Sequence, residues 1–476
     1  MSAAESYLST LRQFGRVIEV DIAAVDRLGI PVTSCVLMVE GALRHLGNGY
    51  GADAESAHVG GLGELAEGVL SAERMGQLGR QARRASYCSL RNGEGVDRVA
   101  DPATLCLPAG SDWSPEQPLS WLPTTRVRTG ETVWVPAEFV ASEPDEVAAV
   151  SSGKHPLITP ITNGLGAGLD VERALTHGIT EILQRHTNGL RFRALDQRSP
   201  VVDRDGLPGS VRTLMDRIER SGIELVIKHA ATAFGVCSTY VMGIDPAPTS
   251  PLQVTACGEA AHPSAQVSIT KAILEYANSR VRKSFCFGDP ALARPLAPAD
   301  YWAAVAAPYG GGEIRATEAM QVWADLSVAE LTELTAPDTT TMIDYAAVTT
   351  GAPALSSAAE LLTYLLDVLG DHDVLASIIE VGGVHVAKVI IPGLEVETMS
   401  YGRLGELGAG DLLSTDLDLV RVGEACDSHR DAVVLTRDAE ERLGGSVWYS
   451  RAAADRLVGR LYPLYREPRR HTLRVG

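Results

Sequence analysis

The sequence predicts an α+β fold of mixed sheets with packed helices, and three observations carry that reading. β-Branched and apolar runs bounded by Gly, Pro or Asp read as strands. Longer segments with apolar residues at 3.6-residue spacing read as helices. The two kinds do not alternate in the βαβ rhythm of a parallel sheet. With 476 residues, 45% of them apolar, the chain is long enough for a large core, or for two or three subdomains that share one.

Taken in order, RVIEVD (16–21) and IPVTSCVLMVEG (30–41) predict strands separated by a polar turn at AAVDRLG. Helical spacing then runs from about 54 to 71. The polar stretch RRASYCSLRNGEGVDRVADPATLCLPAGSDWSPEQP is expected to be loop-dominated, part of an insertion near 72–123. TTRVRTGETVWVPAEFV (124–140) predicts a hairpin turning at Gly130, and LDVERALTHGITEILQRH (169–186) a helix. Further strands are expected at IELVIKHA, TYVMGID, LQVTACG and HVAKVIIPG, with helices near 264–284 and 356–369.

Sixty acidic residues against 42 basic ones leave a formal charge of −18, which repels nucleic acid and anionic membranes. The basic tail REPRRHTLRVG is too short to reverse that. Seven scattered cysteines without CxxC spacing suggest neither a disulfide framework nor a thiolate zinc site. No basic region leads into an apolar core at the N-terminus, and no run of 18 apolar residues follows. A cytoplasmic protein is expected.

One internal echo outweighs any single element. GNGYGADAESAHVGGLGELAEG (47–68) resembles TNGLGAGLDVERALTHGITEILQR (162–185) when Ala57 is laid on Ala174. Glu64 then falls on Glu181, and Glu67 on Gln184. Each copy reads as a glycine turn followed by a helix whose polar pair, three residues apart, shares one face. Any one of these side chains alone would be an ordinary solvated helix position; the repeat argues for a common purpose. Gathered carboxylates repel unless they share a hard cation such as Mg2+, which takes oxygen ligands and keeps water or phosphate oxygens as well. Arg185, next on the same helix, suits a phosphate, and the glycine turns would offer N–H groups to an anion. NGLGAGLDVE lacks the full GxGxxG spacing and its βαβ context, and no GxxxxGK[ST] occurs.

Several ordered segments together carry a family resemblance: FGRVIEVDIAAVDRLGIPV, the two repeat copies, VRTGETVWVPAEFV, AAHPSAQVSITKAILEYANSRVRK and HVAKVIIPGLE. From about residue 14 to 400 the chain resembles the YcaO family, ATP-dependent enzymes that activate backbone amides in ribosomally made peptides. The resemblance implies metal roles for Glu64, Glu67 and Glu181, with Gln184 in the fourth position. It implies nucleotide contacts for Arg185, Glu275, Asn278 and Arg280, with Arg16 and Asn163 as weaker candidates. ATP and Mg2+ are the implied cofactors. The implied product is an azoline or amidine; a thioamide made with a sulfur-delivering partner is the enzymatic alternative.

The expected organisation is a segment 1–14, a YcaO-like domain over 15–462 and a basic tail 463–476. The expected partners are a precursor peptide, a leader-binding or sulfur-delivering protein, and a second copy of the chain. Against the family pattern, Gln184 loses a charge, Gly60 and Gly166 stand where polar side chains can serve the nucleotide, Leu169 replaces a polar residue and Arg173 an acidic one. The C-terminus YPLYREPRRHTLRVG lacks the alternating prolines of many azoline formers. These departures raise a non-catalytic scaffold or partner of an active enzyme as the rival reading. His58, His177, His186 and His262 are candidate general bases, although each alone reads as structural, and the cysteines read as packing residues.

Overall fold

The computed structural model describes residues 2–148, 150, 156–193, 199–305, 323, 325–394, 402–424 and 429–458. Among them lie four sheets. The first joins β1 (Arg16–Asp21), β2 (Val32–Val39) and β3 (Ala42–Tyr50). β4 (Arg83–Ser86), β5 (Pro118–Arg126), β6 (Thr132–Pro136), β7 (Leu165–Gly168), β13 (Leu375–Val381) and β14 (Val384–Ile390) build the second, in the order β4-β5-β13-β14-β7 with β6 also on β5. The third runs β11-β10-β9-β8-β12, from Cys257–His262, Val236–Ile244, Glu224–Ala233, Val201–Val202 and Met342–Ile343. A small sheet of β15 (Val420–Val422), β17 (Val447–Tyr449) and β16 (Asp431–Ala432) has its own apolar cluster around Leu404, Leu412 and Tyr449. Among the described strand pairs only the short β8–β12 pair is parallel, so the α+β expectation holds.

The helices that matter to the site are long. α1 (Ala3–Leu11) precedes the first strand, and α2 (Ala54–Gly79) starts at Asp53, whose side chain caps the Ser56 N–H. α3 (Tyr87–Glu94), α4 (Ala137–Val140) and α5 (Pro144–Ala148) are short. α6 (Val171–Arg193), α7 (Gly209–Glu219) and α8 (Ala265–Phe287) follow, and Ser264 caps α8 through the Val267 N–H. No described helix is long and apolar enough to cross a membrane.

Three local readings change. The stretch 72–123 holds the last turns of α2, then β4, α3 and the first part of β5, and Trp121 from it is fully buried in a large apolar cluster. LQVTACG is a 3-10 turn over Pro251–Thr255, and the strand begins only at Cys257. Pro251 cannot donate to a ladder, and Gln253 Oε1, which accepts the Thr249 and Ser250 N–H groups, starts a turn instead. The third change concerns the glycines. GNGY is not a turn but the end of β3, where Gly47 and Gly49 pair with Cys35 and Thr33; Gly166 and Gly168 likewise lie in β7, opposite Ala387 and His385.

The reason is close approach rather than anion binding. A Cβ on Gly47 would come within 2.8 Å of the Glu64 carbonyl carbon, and one on Gly166 within 2.8 Å of the Gly178 nitrogen. The strands lie directly on the helix backbones. Gly166 is therefore dictated by packing and marks no lost nucleotide ligand. At Gly60 the nearest atom to an added Cβ is Gly49 Cα at 3.4 Å, so that position accepts a side chain.

A strand glycine lies on a helix backbone in a third place as well. A Cβ on Gly258 of β11 would come within 2.8 Å of the Glu275 carbonyl carbon, as Gly47 does to Glu64. The molecule thus contains three strand–helix units, β3–α2, β7–α6 and β11–α8. α2 packs on β3 and reaches β7; α6 packs on β7 and reaches β11; α8 packs on β11 and reaches β3. They close on one another in a ring, with the acidic positions of all three helices turned to one cleft.

Candidate functional site

Each unit fixes its acidic residue in the same way. The Asn48 N–H donates to Glu64 Oε2 at 2.7 Å, the Gly164 N–H to Glu181 Oε2 at 2.8 Å, and the Glu259 N–H to Glu275 Oε2 at 2.9 Å. The N–H belongs to the strand or the turn before it, so the carboxylate is held by backbone geometry. Three residues further along each helix stand Glu67, Gln184 and Asn278. Six predicted site residues are therefore brought together as three equivalent pairs, although the sequence reading paired only the first two copies.

The cleft floor is strongly acidic. Burial raises the Glu64 carboxyl despite the opposing charge of Arg282 and the Asn48 N–H, and Glu181 adds to the rise. Glu64 keeps accessible surface while protein surrounds it, which is the geometry of a side chain at the bottom of an open cleft. Glu67 is pushed well above the usual carboxylate range, by burial first and then by Glu181 and Glu64. Glu275 is pushed up to about 8; burial is the main cause, Arg185 opposes it, and Glu259 and Glu181 reinforce it. Glu181 stands electrostatically between the pair on α2 and the one on α8.

Cations line the same space. Arg185 bridges Glu181 Oε1 at 3.3 Å and Glu259 Oε2 at 3.1 Å. α8 presents Lys271, Glu275, Asn278 and Arg282 at intervals of four, three and four residues, one helical stripe. Burial lowers the Lys271 ammonium, and Glu275, Arg173 and Glu181 all act on it. Sequence reasoning missed Lys271, Arg282 and Glu259; the 4-3-4 spacing around Glu275 was the available signal for the first two.

Other candidates lie elsewhere. Arg280, on the far side of α8, is fully buried between Asp26 Oδ2 at 2.9 Å and Asp245 Oδ2 at 2.7 Å, and donates to Gln253 Oε1 at 3.1 Å. It ties α8 to the loops around it rather than facing the cleft. Arg16 is exposed and paired with Asp300. The Asn163 carbonyl accepts from Lys388 Nζ at 2.7 Å, and Asn163 lines a small pocket behind Ile182 with Glu138 and Lys388. Leu169 and Arg173 are exposed.

The histidines divide similarly. His177 Nδ1 lies 3.5 Å from Glu67 Oε1 at the cleft; half of its side chain is exposed, and the protein packed around it, with Lys271 and Arg173, lowers its imidazole to about 3. His262 is lowered to about 4 by burial and Lys271, and accepts the Ser264 N–H. Both are poor proton acceptors near neutrality. His186 is buried edge-on to Phe234, and His58 pairs with Glu19. The tail 463–476 and Cys426 lie outside the described residues; the other six cysteines are free thiols.

The donor set suits a hard cation. Carboxylates held together by backbone hydrogen bonds, with their charged forms disfavoured by one another, are relieved by a shared divalent ion. Among the described residues no three His, Cys, Asp or Glu side chains form a ready cage. Mg2+ does not ask for one, since it retains waters and phosphate oxygens.

Three acidic helices closed around a cleft with cationic walls define the class: a protein that takes an anion together with a metal ion. The family follows from comparison. The family model described as YcaO cyclodehydratase, ATP- and Mg2+-binding, matches residues 48–395, and the chain belongs to the YcaO family. It is 27% identical over 282 residues to an uncharacterized protein of Methanothermobacter thermautotrophicus, covering 57% of this chain and 68% of that one. An uncharacterized protein of Mycobacterium tuberculosis is 25% identical over 262 residues, 55% of this chain and 56% of that one. The fold is similar to YcaO from Methanopyrus kandleri bound with AMPPCP and Mg2+, with a TM-score of 0.57 at 18% identity over 85% of this chain and 94% of that one. It is also similar to a heterocyclase in complex with substrate and cofactor, with a TM-score of 0.59 at 15% identity over 83% of this chain and 53% of that one.

Proposed function

We propose that the protein uses ATP and Mg2+ to activate a backbone amide of a ribosomally made precursor peptide, giving an azoline or amidine. The observation that carries this reading is the convergence of Glu64 and Glu67, Glu181, and Glu275 from three equivalent units on one cleft. Glu64, Glu67 and Glu181 would hold the metal, with Gln184 offering an amide oxygen. Arg185, Lys271 and Arg282 would balance phosphate charge, and Asn278, whose buried Oδ1 has no partner among the described residues, would accept from the nucleotide. When bound, the nucleotide supplies the phosphoryl group that turns an amide oxygen into a leaving group. The protein's part is to fix that group and the peptide together and to exclude water.

The free thiols suit a reducing cytoplasm, and a leader-presenting protein and a second copy of the chain remain the proposed partners. Phosphate release should be followed with candidate peptides, alongside their masses, for the wild type and Glu181→Ala. Peptide-dependent release with loss of one water from the peptide supports cyclodehydration; exchange of oxygen for sulfur supports thioamide formation. Mg–nucleotide binding that is absent from the wild type would overturn the enzymatic reading in favour of a scaffold.

A further inference from the structure

Glu259 is the least expected member of the cleft. It stands on β11, its side chain is completely buried, and one oxygen, Oε2, takes every donor: Gln184 Nε2 at 3.4 Å, Arg185 at 3.1 Å and Asn188 Nδ2 at 3.0 Å. The other oxygen, Oε1, is buried without a partner among the described residues, as are Asn188 Oδ1 on α6 and Asn278 Oδ1 on α8. A carboxylate only accepts, and a buried acceptor left bare costs desolvation energy that a cation or donor would recover.

We infer that Glu259 supplies from the neighbouring strand the negative charge that position 184 lacks, and that Gln184 is an amide because Glu259 is there. The inference rests on the metal–nucleotide reading of the cleft and deepens it. A glutamate at 184 would set a second carboxylate where an amide nitrogen now donates to Glu259, and one of the two would have to take a proton or move away. With the amide, the donor half of Gln184 binds Glu259 and its oxygen remains for the metal's side. The charge count of the site is kept, displaced by one side chain. Gln184 is then a partner of Glu259 and not a sign of decay.

The test is calorimetric titration of the intact chain with Mg2+ and AMPPCP, for the wild type, Glu259→Gln, Gln184→Glu and the double variant, with the melting temperature of each measured in EDTA. Glu259→Gln should weaken binding about 10–100-fold, the usual loss for a group supporting a metal ligand. Gln184→Glu should weaken it as well, and the double variant should recover most of the loss, because it restores one amide and one carboxylate to the pair. Wild-type affinity in Glu259→Gln, or a double variant weaker than either single one, would overturn the inference. If Glu259→Gln merely misfolds, the double variant still decides, since relocating the charge repairs binding only when charge is what was lost. A wild type that binds no Mg–AMPPCP brings down the proposed function itself, and is told apart from failure of this inference because it appears before any substitution.

Discussion

Lys388 and Glu181 are tied through a single turn: Lys388 Nζ donates to the Ile161 and Asn163 carbonyls at 2.5 and 2.7 Å, and the next N–H along the chain, from Gly164, donates to Glu181 Oε2 at 2.8 Å. Lys388 is buried in β14. Replacing it by Met leaves two inward carbonyls without their donor, at about 1–3 kcal/mol for each buried group left unpaired. Lys388→Met should unfold at lower denaturant and bind Mg–nucleotide more weakly, because the turn that orients Glu181 is loosened. Urea titration and calorimetry check the two effects.

Gly60 and Gly166 should part company. Gly166→Ala forces a methyl group against the backbone of α6 at Ala174 and Gly178, and overpacking of that kind costs about 1–3 kcal/mol or more. Gly60→Ser meets only ordinary contacts, so its melting temperature should stay with the wild type. Thermal melts of the two variants side by side decide the point.

Arg280 is expected to be a stability residue. Removing one partner of a buried ion group costs about 3–5 kcal/mol, so Arg280→Met, which takes the charged partner from Asp26 and leaves Arg27 alone to balance Asp245, should be strongly destabilised. Titrated well below its melting temperature, its folded fraction should still bind Mg–nucleotide with wild-type affinity. A selective loss of affinity in a fully folded variant would return Arg280 to the nucleotide.

The His177 imidazole, lowered to about 3, should stay neutral as pH falls from 8 to 5, and its ring resonances should not shift in that range. In the unfolded chain a histidine takes its proton near 6.5. The unfolded state therefore gains protons first on acidification, and stability falls as pH drops through that value toward the folded one. His177→Gln should remove that part of the acid sensitivity, read as a shallower fall of stability between pH 7 and 4.

Much of this was legible in the sequence. Strands with alternating or continuous apolar runs, such as Arg16–Asp21, Val32–Val39 and Val236–Ile244, appear where the residues place them, and the hairpin turns at Gly130 with a positive φ. The carboxylate pair and its echo at Glu181 pointed to the cleft. What escaped was the meaning of alternate glycines: Gly47 and Gly49 resemble a turn in one dimension, and only the helix lying on them shows why no side chain fits. The third copy escaped because its second glycine is Ala260 and its polar pair is Glu275 with Asn278, so the spacing survives while the letters change. Glu259 escaped altogether, since its partners on α6 lie about 70 positions away in the chain.

The backbone contacts at Gly47, Gly166 and Gly258 separate two jobs that most sites leave entangled. Distance between strand and helix is set by atoms every residue shares, so the groups facing the cleft bear little of the load that keeps the walls apart. The chassis stays the same while Glu64 with Glu67, Glu181 with Gln184 and Glu275 with Asn278 present three different chemistries in three equivalent seats. Retuning such a protein toward another substrate is thus a matter of changing occupants, with the seats themselves left where they are.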